Sequence, residues 1–288
     1  MATKHVVSKV GFNKKPAKLL KTGPGFKLAE APTDASPGFT GNKKDGQLIL
    51  AARARKLTVL QEQLFAQGQY GGAKSVLLVL QAMDTAGKGG IVSHVVGSVD
   101  PQGVRLKAFK APTPAEKRHD FLWRIEKEVP AAGMLGVFDR SHYEDVLIHR
   151  VHKWATPEEL DRRYGAINDF EAKLMADGTR IIKIMLNISP DTQKERLAAR
   201  LQDPTKYWKY RVDDLTERAF WPQYMEAYQE VIKRTSAAVS WYVVPAGKKW
   251  YARLAVQEIL LAELEGMELT WPTGDFDLAE ERRKVAAS

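Results

Sequence analysis

The chain has 288 residues, of which 44% are apolar, 9% aromatic and 27% charged, enough to bury a core and too apolar for a disordered or collagen-like polymer. It contains no cysteine, which removes disulfides, thiolate metal sites, iron–sulfur clusters and thiol nucleophiles together and fits a cytoplasmic home. Lys plus Arg outnumber Asp plus Glu by 44 to 35, a formal +9, and such an excess favours a polyanion: nucleic acid, an anionic surface or a phosphorylated substrate.

Residues 1–46 carry Lys14-Lys15, Lys21, Gly23-Pro24-Gly25 and the stretch Gly41-Asn42-Lys43-Lys44-Asp45-Gly46 with no sustained apolar period. They read as an extended arm lying across a folded core or a neighbouring subunit. From Gln47 to Gln67, Leu48, Leu50, Leu57, Leu60 and Leu64 recur near helical spacing, and the pattern stops at Gly68, Gly71 and Gly72, which predicts an amphipathic helix.

A βα rhythm then begins with Ser75-Val76-Leu77-Leu78-Val79-Leu80, a short unalternating run of the kind found in strands buried on both faces. Further predicted strands are 104–109, 134–138, 180–188 and 241–244, separated by helical segments. This alternation argues for an α/β fold with an open, mostly parallel sheet covered on both faces, whose sites lie beyond the carboxyl ends of the strands. The charged and aromatic insertion from about 191 to 234 stands where a lid belongs. The expected organisation is an arm (1–46), one core with its lid (47–266) and a C-terminal tail (267–288). No apolar run approaches the roughly 18 residues of a spanning helix, so no membrane association is expected.

Directly after the first predicted strand comes Ala82-Met83-Asp84-Thr85-Ala86-Gly87-Lys88-Gly89-Gly90, followed by a helix predicted over 91–96. Backbone N–H groups of a small-residue loop entering a helix point at an anion, and a lysine adds a full charge. Against the usual G-x-x-x-x-G-K-[ST] pattern, Ala82 replaces the first glycine and Gly89 the hydroxyl residue that helps hold Mg²⁺. Asp84 is the oxygen donor available instead, because a carboxylate there repels bare phosphate unless a cation lies between them. The alternative is a plain glycine-rich turn.

After the predicted strand 134–138, Asp139-Arg140-Ser141-His142-Tyr143-Glu144-Asp145 puts an acid where phosphoryl-transfer enzymes hold or orient Mg²⁺, and Arg140 where it can clamp a phosphoryl group. Glu144 and Asp145 can assist the metal or orient the acceptor, unless the cluster is a structural ion-pair knot. His119, His142, His149 and His152 lack a complete zinc ligand pattern and read as solvated or phosphate-facing. Lys107 and Lys110 stand near the end of the second strand, with Arg118, His119 and Arg124 on the next segment. In the lid, Arg196, Arg200, Lys206, Lys209 and Arg211 interleave with Tyr207, Trp208 and Tyr210, suited either to single-stranded nucleic acid or to closure over a nucleotide.

These motifs together resemble the polyphosphate kinase 2 family of P-loop phosphotransferases: Met83 to Gly90, Phe109-Lys110-Ala111-Pro112-Thr113, Phe138 to Asp145, and Asp203-Pro204-x-Lys206-x-Trp208-Lys209, in order over about residues 45 to 265. The resemblance implies a three-layer, thymidylate-kinase-like α/β/α core with a helical lid, Mg²⁺ (or Mn²⁺) dependence, and reversible phosphoryl transfer from inorganic polyphosphate to ADP, and also to AMP. ATP or ADP would be the product, guanine nucleotides would be further acceptors, and the chain would form a dimer or tetramer. It implies Asp84 and Asp139 near the metal, Lys88, Arg140 and Arg200 as catalytic cations, and Ala86, Gly87, Lys88, Gly89, Gly90, Lys107, Lys110, Arg118, Lys206 and Lys209 along the phosphates. Asp139, Arg140, His142, Tyr143 and Glu144 would bind the nucleotide. His142-Tyr143-Glu144-Asp145, with Phe121-Leu122-Trp123-Arg124 upstream, resembles the group acting on both AMP and ADP. The competing readings are an ATP-dependent nucleoside monophosphate kinase and a non-catalytic nucleic-acid binder; the second is disfavoured because Asp84 and Asp139 oppose a polyanion without metal.

Overall fold

The computed structural model describes residues 10–288, so the first nine residues of the expected arm lie outside it. In chain order the elements are β1 (Gly11–Phe12), α1 (Pro16–Leu19), β2 (Phe39–Thr40), α2 (Lys43–Gln69), β3 (Ser75–Ala82), α3 (Lys88–His94), β4 (Val104–Ala108), α4 (Trp123–Glu126) and β5 (Leu135–Asp139). There follow α5 (Glu144–Val151), α6 (Pro157–Ala176), β6 (Thr179–Asn187), α7 (Pro190–Gln202), α8 (Asp213–Arg218), α9 (Trp221–Thr235), β7 (Trp241–Pro245), α10 (Lys249–Glu265) and α11 (Leu278–Ala287).

β3 to β7 form a five-stranded sheet in the order β4-β5-β3-β6-β7, parallel at every pairing. Successive strand residues point to opposite faces, and both faces of β3 are covered. Val76, Leu78 and Leu80 join α2, α3 and α10 in one core, through residues such as Leu57, Leu64, Ile91 and Ile259. Leu77 and Val79 join α5, α6 and α9 in the other, through Val146, Ile167 and Val231. The three-layer architecture follows from this double burial.

The first long helix begins earlier than its apolar period suggests, because Asn42 and Asp45 form a capping box that draws Lys43 to Gly46 into its first turn. Gly46 lies against the Trp250 ring, where a Cβ would come within 2.5 Å of two ring carbons. The described arm crosses this chain's own core. Leu20 and Leu28 are buried, and Leu20 to Thr22 run beside β7, with Thr22 N–H donating to Trp241 O at 2.8 Å and Val243 N–H to Leu20 O at 3.1 Å. The arm thereby covers one edge of the sheet, a position that otherwise invites pairing with another chain. At the other edge β4 is exposed and carries Arg105 and Lys107, both paired with Glu128.

Within the stretch 191–234, α7, α8 and the turn Pro204–Lys209 stand over the strand ends, whereas α9 belongs to the core: Ala227, Tyr228, Val231 and Ile232 are buried against α5 and α6. Among the described residues no helix is long and apolar enough to cross a membrane.

Candidate active site

The order of the strands decides where chemistry collects. β3 and β5 are neighbours, with Leu80 opposite Asp139, so the loop after β3 and the segment after β5 emerge side by side at the carboxyl end of the sheet. Asp84 and Arg140, 56 residues apart, meet there: Arg140 Nη2 donates to Asp84 Oδ1 at 2.9 Å.

The phosphate loop has two residues in the left-handed region. Gly87 takes φ +120 and Thr85 takes φ 66, the second an unusual conformation for a side chain with a branched Cβ. Lys88 opens α3 and donates to Ala82 O at 3.3 Å. The helix therefore starts at Lys88 rather than at the predicted Ile91, and Gly89 and Gly90 form its first turn. No atom lies within 4 Å of a Cβ built on Gly89, so the missing hydroxyl leaves open space beside the loop.

Arg140 also lies in the left-handed region, at φ 63, its N–H bonded to Leu80 O at 3.0 Å. Such backbone costs of order 1 kcal/mol or more and persists where the surroundings fix it. Here it turns the guanidinium toward Asp84 and Glu144. The Glu144 carboxyl is pushed above its ordinary range by burial, against the pull of the Arg140 and Lys88 charges beside it. Arg140 is pushed up in turn, by Glu144 first and by Asp84 as well. Asp84, Lys88, Arg140 and Glu144 thus lie close enough to shift one another's charge, and Asp139 ends β5 opposite Leu80.

The rest of the segment after β5 divides away from them. His142 and Tyr143, expected at the nucleotide, are both 0% exposed. Tyr143 Oη donates to Glu171 Oε1 at 2.6 Å, and His142 Nε2 lies 3.4 Å from the same oxygen. Lys183, fully buried on β6, donates to Glu171 Oε2 at 2.7 Å, Thr235 O at 2.7 Å and Tyr143 Oη at 3.0 Å. Ser141 is buried too, its Oγ accepting from Gln81 Nε2 at 3.2 Å. The two readings of this cluster are therefore both realised, residue by residue: Arg140 and Glu144 face Asp84 and Lys88, and His142 and Tyr143 belong to a structural knot. The segment turns at Arg140, with its left-handed φ, and enters α5 at Glu144, which separates the two groups.

Of the other histidines singled out in the sequence, His119 is exposed, as expected, whereas His149 and His152 are partly buried beside carboxylates. His149 lies 3.6 Å from Asp145, His152 3.0 Å from Glu217, and His119 stacks on Trp123 with ring centroids 3.9 Å apart. Asp145 also faces Arg124 at 3.6 Å.

Of the expected phosphate ligands on the β4 side, Lys107 is held by Glu128 at 2.6 Å, while Lys110 and Arg118 are exposed. On the lid, Arg200 bonds Lys209 O at 2.9 Å and Asp214 at 3.2 Å. Lys206 pairs with Asp203, and Lys209 lies 4.9 Å above the exposed Trp208 ring.

Two basic residues that the sequence reading left out also stand here. On α10, Arg253 lies beside the phosphate loop, 3.3 Å from a Cβ built on Gly90. Lys249 has its pKa lowered by burial and then by the charges of Arg196, Arg253, Lys206 and Arg200. The i, i+4 spacing of Lys249 and Arg253 on one helix face is the signal that finds them.

Among the described residues no group of three or more acidic or histidine side chains is arranged to hold a metal. Mg²⁺ is usually bound by one or two carboxylates together with substrate phosphates, a donor set that Asp84 and Asp139 can supply.

Known proteins resemble the chain over most of its length. The crystal structure of polyphosphate kinase 2 from Arthrobacter aurescens superposes with a TM-score of 0.95 at 62% identity, covering 98% of this chain and 100% of that one. An AMP/ADP-polyphosphate phosphotransferase of Meiothermus ruber is 43% identical over 86% of this chain and 91% of its own. An ADP-polyphosphate phosphotransferase of Rhodopseudomonas palustris is 38% identical over 88% and 92%. The family model described as polyphosphate kinase 2 matches residues 40–271, a span that contains the phosphate loop, the Asp139–Glu144 segment and the lid. With fold, site and family model in agreement, the chain belongs to the polyphosphate kinase 2 family.

Proposed function

We propose that the chain transfers the terminal phosphoryl group of inorganic polyphosphate to ADP, making ATP, and to AMP, making ADP, reversibly. The observation that carries this reading is the meeting of Asp84 and Arg140 at 2.9 Å beside a phosphate loop, in a chain of this family. An oxygen of the acceptor's terminal phosphate attacks the end phosphorus of the polyphosphate. The bond from that phosphorus to the next bridging oxygen breaks, and the shortened chain leaves with the electron pair.

Such a transition state needs positioning and charge neutralisation rather than a protein nucleophile. Lys88 and Arg140 supply cations on either side of the loop, and Arg200 is carried on the lid above them. Ser141 and His142 are both fully buried and bonded elsewhere, which leaves no serine–histidine pair to attack phosphorus. Mg²⁺, or Mn²⁺, would be held by Asp84 and Asp139 and would supply charge neutralisation on the phosphates. Guanine nucleotides as further acceptors, a dimeric or tetrameric assembly and a cytoplasmic location complete the proposal.

Incubating the purified chain with long-chain polyphosphate, Mg²⁺ and either AMP or ADP tests it. ATP from ADP and ADP from AMP are expected, and neither product would refute the reading. Fast exchange between ATP and AMP without polyphosphate, with no polyphosphate-dependent product, would instead make it an ATP-dependent monophosphate kinase.

A further inference from the structure

The lid's first helix is bonded directly to the phosphate loop. On α7, the fully buried Gln193 donates from Nε2 to Asp84 O at 3.1 Å. Arg196, one turn on, donates from Nη1 to Thr85 O at 3.0 Å and Ala86 O at 2.9 Å, and from Nη2 to Ala246 O at 2.6 Å and Gly247 O at 2.9 Å. One guanidinium thus joins the phosphate loop to the turn after β7. Arg218 of α8 fixes the Gln193 amide, donating to its Oε1 at 3.0 Å while also bonding Pro190 O at 2.6 Å.

Three successive loop carbonyls, those of Asp84, Thr85 and Ala86, are therefore drawn toward α7. A trans peptide carries its C=O and N–H on opposite edges, so the N–H groups of Thr85, Ala86 and Gly87 are turned the other way. Ala86 N–H closes a turn on Met83 O. Those of Thr85 and Gly87 have no protein acceptor among the described residues. The left-handed backbone at Thr85 is of the kind that holds only where its surroundings fix it, whereas Gly87 takes its positive φ without strain.

We infer that Gln193 and Arg196 are positioning residues that set the peptide planes of the phosphate loop and tie that loop to the lid. The guanidinium of Arg196 is spent on carbonyl oxygens, so its role is geometric, and its charge alone does not replace it. Five donors in a rigid plane can bridge four carbonyls on two segments, whereas a lysine at the same place keeps the charge with a single ammonium.

The inference rests on the phosphotransfer reading for the loop's purpose, and Arg196→Lys and Gln193→Met test it with two independent readouts. Hydrogen exchange of the peptide covering residues 83–90 is followed in the substrate-free chain, alongside kcat and the nucleotide KM with polyphosphate as donor. At a melting temperature equal to that of the parent, exchange in residues 83–90 speeds up in both variants. In Arg196→Lys, kcat falls about 10- to 100-fold with nucleotide KM unchanged, the split expected when an interaction serves the reaction rather than binding. Gln193→Met removes the bond to Asp84 O and the one from Arg218 while leaving the Arg196 guanidinium in place, and reads the same loop should Arg196→Lys fail to fold. Full kcat in Arg196→Lys, or unchanged exchange at 83–90 in the folded variants, overturns the inference. If the parent chain transfers no phosphoryl group at all, the functional reading fails instead, and exchange alone decides whether α7 fixes the loop.

Discussion

The buried pair of Lys183 and Glu171 offers the sharpest test of how the segment after β5 is held. Their side chains are 0% and 2% exposed, and the pair is surrounded by Tyr143, His142 and Thr235. Burial pushes the Lys183 ammonium below its ordinary range. Burial works equally to raise the Glu171 carboxyl, but the His142 hydrogen bond and the Lys183 charge hold it below the usual carboxylate value. Lys183→Met keeps the volume and removes the charge, so no large cavity opens. Glu171 is then left with Tyr143 and His142 alone, and an uncompensated buried charge costs about 3–5 kcal/mol. Removing the second charge as well, in Lys183→Met with Glu171→Leu, leaves Tyr143 Oη, His142 Nε2 and Thr235 O short of partners, at about 1–3 kcal/mol each. The double variant is therefore expected to lose less stability than the two single variants added together, because neither charge is left alone. Urea unfolding followed by far-UV circular dichroism measures the parent, Lys183→Met, Glu171→Leu and the double variant. A Lys183→Met variant within about 1 kcal/mol of the parent, or a double variant whose loss equals the two single losses added, would refute the account of this knot as a compensated ion pair.

Lys88→Ala and Asp84→Asn are each expected to lower turnover at least about 100-fold, the scale of one lost stabilising group in a transition state; near-parental rates in folded variants would remove them from the chemistry. Burial, followed by the charges of Arg163 and Arg124, lowers the His149 pKa from 6.5 to about 4. The folded chain thus disfavours the charged form: the contribution is complete above pH 6.5 and is lost as pH falls toward 4, with an upper bound of about 3 kcal/mol. His149→Gln should flatten the pH dependence of the urea midpoint in that window, and an unchanged slope would contradict it. Gly68 leaves no room for a side chain, since a Cβ would lie 2.5 Å from Gly133 Cα and 2.7 Å from Ala132 O. Gly68→Ala is expected to cost at least about 2 kcal/mol in the same unfolding measurement, because backbone cannot swing aside as a side chain can.

What the chain reveals before folding follows the range of the forces involved. The strands were legible because a strand buried on both faces must be apolar at every position, as Ser75 to Leu80 nearly is, and the phosphate loop because its residues are contiguous. The start of α2 was obscured because glycines and lysines dominate its first turn, although Asn42 and Asp45 carry the capping signal. The family resemblance places His142 and Tyr143 at the nucleotide together with Arg140, and contiguity in the chain does nothing to separate them. Their burial depends on Lys183, 40 residues on, and a lysine inside an otherwise apolar strand was the one sign that a buried acid waits for it. Gln193 and Arg196 were harder still, since their partners are carbonyl oxygens, which every residue has.

The excess of positive charge also changes meaning once partners are known. Lys107, Arg200 and Lys206 each have a carboxylate partner: Glu128, Asp214 and Asp203. Partly exposed pairs of this kind are worth about 0–1 kcal/mol, so a phosphate can replace the carboxylate at little cost, and these cations report small net stabilisation until a polyanion arrives. Lys249 and Arg253 differ: among the described residues neither has an ion-pair partner, and burial lowers both pKa values, with neighbouring cations adding to the effect on Lys249. Unneutralised charge held near the loop destabilises the empty chain and is relieved by any anion that enters. The potential that selects a polyphosphate therefore resides less in the number of basic residues than in the few whose counter-charge the fold omits.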